Sequence, residues 1–126
     1  MLENSKAFSS FSVNDLQKAK EFYTNKLGLK VIDNPMGLIE LEIIGSSNIM
    51  IYPKPNHEPA TFTILNFPVD DIEKTVDALT AKGIVFEQYS GQLQTDSKGI
   101  SRNPQGPMIA WFKDAAGNII SVIQNK

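Results

Sequence analysis

Apolar and polar positions change rhythm early in the chain. Phe11 and Val13 alternate with Ser10 and Ser12, the period of two expected of a half-buried strand. From there Leu16, Ala19, Phe22 or Tyr23, and Leu27 recur on one helical stripe. Asn14 stands before the stripe as a cap, with Gln17 placed to complete a capping box. Gly28 sits where a helix closes on a left-handed residue. Strand-like runs follow at Leu29–Asp33, Leu38–Ile44 and Asn48–Tyr52, parted by the turn clusters Asn34-Pro35-Met36-Gly37 and Gly45-Ser46-Ser47.

The same rhythm returns once. Val13 is echoed by Val69, Asp15 by Asp71, Leu16 by Ile72, Lys18 by Lys74, and Gly28 by Gly83 after one deletion. In the second copy Asp70 is the expected cap, Glu73 its partner, Ile72, Val76 and Leu79 the stripe, and Gly83 the stop. Its later strands are expected at Val85–Gln88, Met108–Lys113 and Ile119–Gln124, the last two joined by the turn Asp114-Ala115-Ala116-Gly117-Asn118. Tyr89 to Pro107 reads as a long polar loop of the kind that often serves as a lid or binding loop. The expectation is an α+β fold of two consecutive βαβββ modules in one domain spanning 1–126. Module one covers 6–53, a linker 54–60, and module two 61–125.

Composition narrows the chemistry. A chain of 126 residues with 41% hydrophobic and 21% charged residues has room for one ordinary globular domain, or two halves sharing a core. The longest apolar run, Met108 to Phe112, is too short to cross a bilayer. The first residues lack the basic-then-apolar layout of a secretory leader, so a cytoplasmic location is expected. A net charge of -2 without a dense Lys/Arg cluster argues against nucleic acid or an anionic membrane as main partner. With 0 cysteines and 1 histidine, His57, the chain has no disulfide, thiolate nucleophile, iron–sulfur cluster or Cys/His zinc site of its own. Any metal site needs that histidine or oxygen ligands alone.

Several stretches together carry a family resemblance. In the first module they are Val13-Asn14-Asp15-Leu16, Phe22-Tyr23 and Leu27-Gly28-Leu29; in the second, Val69-Asp70-Asp71-Ile72 and Trp111 through Ile119. Over nearly the whole chain this resembles the vicinal oxygen chelate superfamily, which includes glyoxalase I, bleomycin and fosfomycin resistance proteins and extradiol dioxygenases. The final hairpin departs from the family's Asp-Pro-Asp-Gly-Asn by carrying Ala115 and Ala116. The resemblance implies two curled sheets enclosing a cleft, generally in a homodimer. Metal-dependent members are similar in placing one His, Glu or Gln ligand on each of four cleft-facing strands, where the metal stabilises developing negative charge.

Carried over residue by residue, those four positions are Phe8, Met50, Ile64 and Ser121. Phe8, Met50 and Ile64 offer nothing to a hard or borderline cation, and a serine is a poor ligand. Neither metal nor other cofactor is therefore expected. The remaining cleft positions implied by the resemblance are Ser10, Ser12, Asn48, Tyr52, Phe62, Asn66, Ile119 and Ile123, an apolar and aromatic lining with sparse polar groups. Trp111 is read either as a platform for a planar ligand or as packing. The functional expectation is a metal-free binder of a small, partly aromatic molecule. The alternative is a glyoxalase-type lyase, isomerase or dioxygenase, with or without metal.

No catalytic residue is assigned. His57, in a linker with Pro53, Pro55 and Pro59, is either a solvated linker residue or a contact at the cleft mouth, where it or Tyr52 can move a proton. Glu40 and Glu42 alternate with apolar residues and read as a solvated strand face, with acid/base work as the other reading. Asp96-Ser97-Lys98-Gly99 reads as turn chemistry. No Gly-x-Ser-x-Gly elbow, phosphate loop or dinucleotide fingerprint is present.

Overall fold

The structure is a computed structural model and describes residues 1–125. The chain divides into two compact units, Met1–Pro59 and the remainder from Ala60 onward.

In the first unit a short 3-10 turn (Leu2–Asn4) precedes β1 (Ser10–Val13), α1 (Leu16–Glu21), β2 (Lys30–Asn34), β3 (Leu38–Glu42) and β4 (Ile49–Pro53). The sheet runs β1-β4-β3-β2, with β1 parallel to β4 and the other pairs antiparallel. One face carries Val13, Ile39, Leu41, Ile49 and Ile51, all buried, and meets Ala19, Phe22 and Tyr23. The Phe11 and Tyr23 ring centroids, 6.2 Å apart, show that the helix covers this face. Burying each such side chain is worth roughly 1.5–3 kcal/mol, so this face holds the unit together.

The second unit repeats the plan with β5 (Thr63–Pro68), α2 (Ile72–Ala81), β6 (Ile100–Arg102), β7 (Met108–Lys113) and β8 (Ile119–Gln124), ordered β5-β8-β7-β6. Ile72, Val76, Ala110, Phe112, Ile120 and Val122 are its buried core. Gly28 and Gly83 take the left-handed φ values of 68° and 96° that close each helical segment. The α+β architecture of repeated βαβββ modules is as expected.

Four details differ from the sequence reading. Both helices are capped one residue later than expected: Asp15 accepts from the Lys18 amide and Asp71 from the Lys74 amide, each at 3.1 Å. The reason is reach, since Asp15 and Asp71 are the last extended residues (φ -138° and -137°) before helical backbone begins. The first helix does not continue regularly to Gly28. After Glu21 the turn Phe22–Lys26 widens, with the Leu27 amide bonding the Phe22 carbonyl. That wider turn lets both Phe22 and Tyr23 enter the core, where one or the other was expected.

In the second module, Val85–Gln88 is not a strand. Only Phe86 bridges to Phe112, and the fourth strand is Ile100–Arg102, inside the stretch expected to be loop. Asp96 makes this possible, because its carboxylate accepts from the amides of Lys98 and Ile100, both at 2.9 Å, and turns the chain into β6. Lastly, β5 carries a bulge: Thr63 pairs with Ile119 and Leu65 with Ile120, leaving Ile64 as the extra residue.

Candidate functional site

Each sheet has a second face, turned away from its helix. In the first unit the ladder sets Ser10 beside Met50 and Met50 opposite Glu40, so three strands contribute one row. The neighbouring row pairs Ser12 with Tyr52. His57 folds back onto this face, its Nδ1 2.7 Å from the Ser12 Oγ, and its backbone amide bonds the Lys54 carbonyl. The linker histidine is thus joined to a predicted site strand. Phe8 lies before β1 and is 64% exposed, while Tyr52 is 39% exposed.

Glu40 is the residue on this face that sequence reasoning undervalued. Its carboxylate accepts from Asn34 Nδ2 at 3.0 Å on one oxygen and from Asn48 Nδ2 at 3.1 Å on the other. The Asn34 amide first, and the Asn48 amide second, hold its pKa below the ordinary 4.5. Glu42, two residues on, pairs with Lys30 at 3.5 Å.

On the corresponding face of the second unit, Ser121 donates a short hydrogen bond to Asn66 Oδ1, directly across the β5–β8 ladder. Trp111 lies opposite Ser121, donates from Nε1 to the Thr63 hydroxyl at 3.2 Å, and meets Tyr89 edge-on with centroids 5.6 Å apart. Thr63 was not singled out from the sequence, because the bulge reverses the alternation there. Phe62 precedes β5 and is 67% exposed, whereas Ile64 is half-buried. Ile119 and Ile123 share the Ser121 face by alternation along β8. Grooves of about 370 Å³ beside Met108 and about 320 Å³ beside Thr80 lie elsewhere in this unit and include none of these residues.

The four positions that the resemblance assigns to metal ligands are chemically ill-suited to that task. Phe8 and Ile64 are hydrocarbon, Met50 offers a soft thioether, and the Ser121 hydroxyl is committed to Asn66. Among the described residues no three His, Asp or Glu side chains come together as a ligand set.

The Glyoxalase/Bleomycin resistance protein/Dioxygenase superfamily matches the chain over residues 8–122. The chain belongs to this superfamily. YraH of Bacillus subtilis, an uncharacterized protein, is 29% identical over 128 residues, covering 87% of this chain and 90% of its own. TnmS3, an antibiotic binding protein from Streptomyces, superposes with a TM-score of 0.69 at 21% identity, over 95% of this chain and 96% of that one. The fosfomycin resistance protein FosX of Listeria monocytogenes gives 0.71 at 15% identity, over 95% and 92%. At such identities the two structural likenesses establish the superfamily's fold and no more. Among the described residues no helix is long and apolar enough to span a membrane.

Proposed function

We propose that this chain is a metal-free binding protein for a small, partly aromatic molecule, held against a helix-free sheet face. One observation carries the reading. At the positions that the resemblance assigns to metal ligands, this chain presents Phe8, Met50, Ile64 and a serine already bonded to Asn66. Apolar surface with sparse, oriented polar groups is the usual composition of a small-molecule site. In the first unit Tyr52 supplies ring surface and Ser10 and Ser12 polar groups; in the second, Trp111 and Phe62 supply rings and Asn66 a polar group. TnmS3 shows that the fold is compatible with antibiotic binding in another chain.

Ligand-induced melting shifts across a library of metabolites and antibiotics test the reading. A compound at 100 times its dissociation constant stabilises the folded state by about 2.7 kcal/mol, a shift of several degrees. A broad library without a single stabilising compound counts against it. One Ni, Zn, Fe or Mn per chain that survives dialysis overturns its metal-free part.

An enzymatic reading is favoured by one specific contact, His57 on Ser12 at 2.7 Å. Turnover of a candidate substrate that disappears in both His57→Ala and Tyr52→Phe would favour it over binding alone. Strand edges at β1 and β2 of the first sheet, together with the family's habit, support a homodimer. A single species of monomer mass by light scattering at micromolar concentration would refute that assembly.

A further inference from the structure

Many carboxylates of this chain pair with a cation, and others cap helices or turns. Asp33 pairs with Lys20 at 2.8 Å, Glu42 with Lys30, Asp77 with Lys98, Glu73 and Asp96 with Arg102, and Glu87 with Lys113. Glu40 does neither: among the described residues its carboxylate accepts from two separate side-chain amides and meets no cation. Each of its oxygens accepts one N–H donor, from Asn34 at the end of β2 and from Asn48 at the approach to β4, so the group is oriented from both sides. A carboxylate that only needed solvation would not require two side chains to aim it.

Its place in the ladder gives that orientation a use. Glu40 stands directly opposite Met50, in the same row as Ser10 and one row from Ser12 and Tyr52. Directly paired strand positions have Cβ atoms about 4.5–5.5 Å apart, within the span of one small molecule. We propose that Glu40 is the anionic anchor of this face and takes the cationic group, a protonated amine or guanidinium, of a ligand whose apolar part lies over Met50 and Tyr52. The inference rests on the binding reading above and gives that ligand a charge.

Two other roles for Glu40 fit less well. As a general base it would need an affinity for protons, and the amides that hold its charged form reduce that affinity. As a metal ligand it would need companions, and Glu42, the other carboxylate on that strand, is engaged with Lys30. A fixed anion that lacks a cation suits a ligand that brings one.

Tryptamine, a cationic aromatic amine, and tryptophol, its neutral hydroxyl counterpart, test the assignment. Binding is followed by side-chain amide NMR of Asn34 and Asn48 in the native chain and in Glu40→Gln. The expected result is tryptamine binding ~5-fold tighter than tryptophol, a preference that fades with salt and is lost in Glu40→Gln. Equal binding of both compounds leaves the binding reading standing and overturns the charge assignment. Binding of neither overturns the assignment and counts against the reading as well. A preference for tryptamine that persists in a folded Glu40→Gln, judged by its unchanged backbone spectrum, also overturns it.

Discussion

His57 Nδ1 and Ser12 Oγ lie 2.7 Å apart, which joins the proline-rich linker to the first strand across 45 positions of sequence. A local turn, the His57 amide on the Lys54 carbonyl at 3.1 Å, ties the same segment. The side-chain bond sets the imidazole on the face of the sheet that carries Ser12.

Ser12→Ala should release that ring. A neutral hydrogen bond of this kind contributes about 0.5–1.5 kcal/mol, so the fold should survive with a small loss of stability. The His57 ring resonances should move toward those of a solvated imidazole. Unchanged ring resonances in Ser12→Ala would mean that the contact does not hold His57 in place.

Glu40 predicts an acid limb in stability. Its pKa is held below the ordinary 4.5 in the folded chain by the Asn34 and Asn48 amides. A depressed folded value means that the ionised form stabilises the fold above the unfolded pKa. That contribution is lost as pH falls through the folded pKa. Urea unfolding followed from pH 5.5 down to pH 3 should show native stability falling more steeply than that of Glu40→Gln. Parallel curves would show that the amides do not favour the charged form.

Two glycines with nearly the same backbone should respond differently to alanine. Gly37 (φ 84°) has open space where a Cβ would stand, whereas at Gly99 (φ 89°) the added atom would lie 2.7 Å from the Phe86 Cβ. Gly37→Ala then bears only the left-handed backbone cost, about 1–2 kcal/mol. Gly99→Ala bears that cost and an overpacking cost of about 1–3 kcal/mol more. Equal losses in thermal or denaturant melts would contradict the packing of Phe86 against the turn that leads into β6.

What could be read from the sequence follows the range of the physics involved. The repeat, the two helical stripes and the closing glycines Gly28 and Gly83 depend on neighbours a few residues away, and these were legible. The final hairpin was too: Asp114 accepts from the amides of Ala116 and Asn118, both at 2.9 Å, so Ala115 and Ala116 leave the turn chemistry intact. The widened turn at Phe22–Lys26 was not, because bonding to the fifth residue rather than the fourth barely alters the apolar spacing. Three-residue β6 was hidden because its strand character comes from pairing with β7 and from the Asp96 carboxylate, not from its own short sequence.

The site shows the same division. The family resemblance, extended by alternation, set Met50, Tyr52, Ser10 and Ser12 on one face, and the ladder pairs Ser10 with Met50 and Ser12 with Tyr52. A bulge of one residue then moved Thr63 to the Trp111 indole and took Ile64 out of the regular ladder, which no pattern of apolar residues announces. Glu40 was read as an ordinary exposed carboxylate because its two amides come from separate strand ends, 6 and 8 positions away.

Whether the helix-free face of the first sheet binds a small molecule without a metal is decided by ligand-induced melting in the presence of a strong chelator. At least one small aromatic compound should raise the melting temperature by the same amount with and without chelator. A shift that vanishes on chelation and returns with added divalent metal would contradict it.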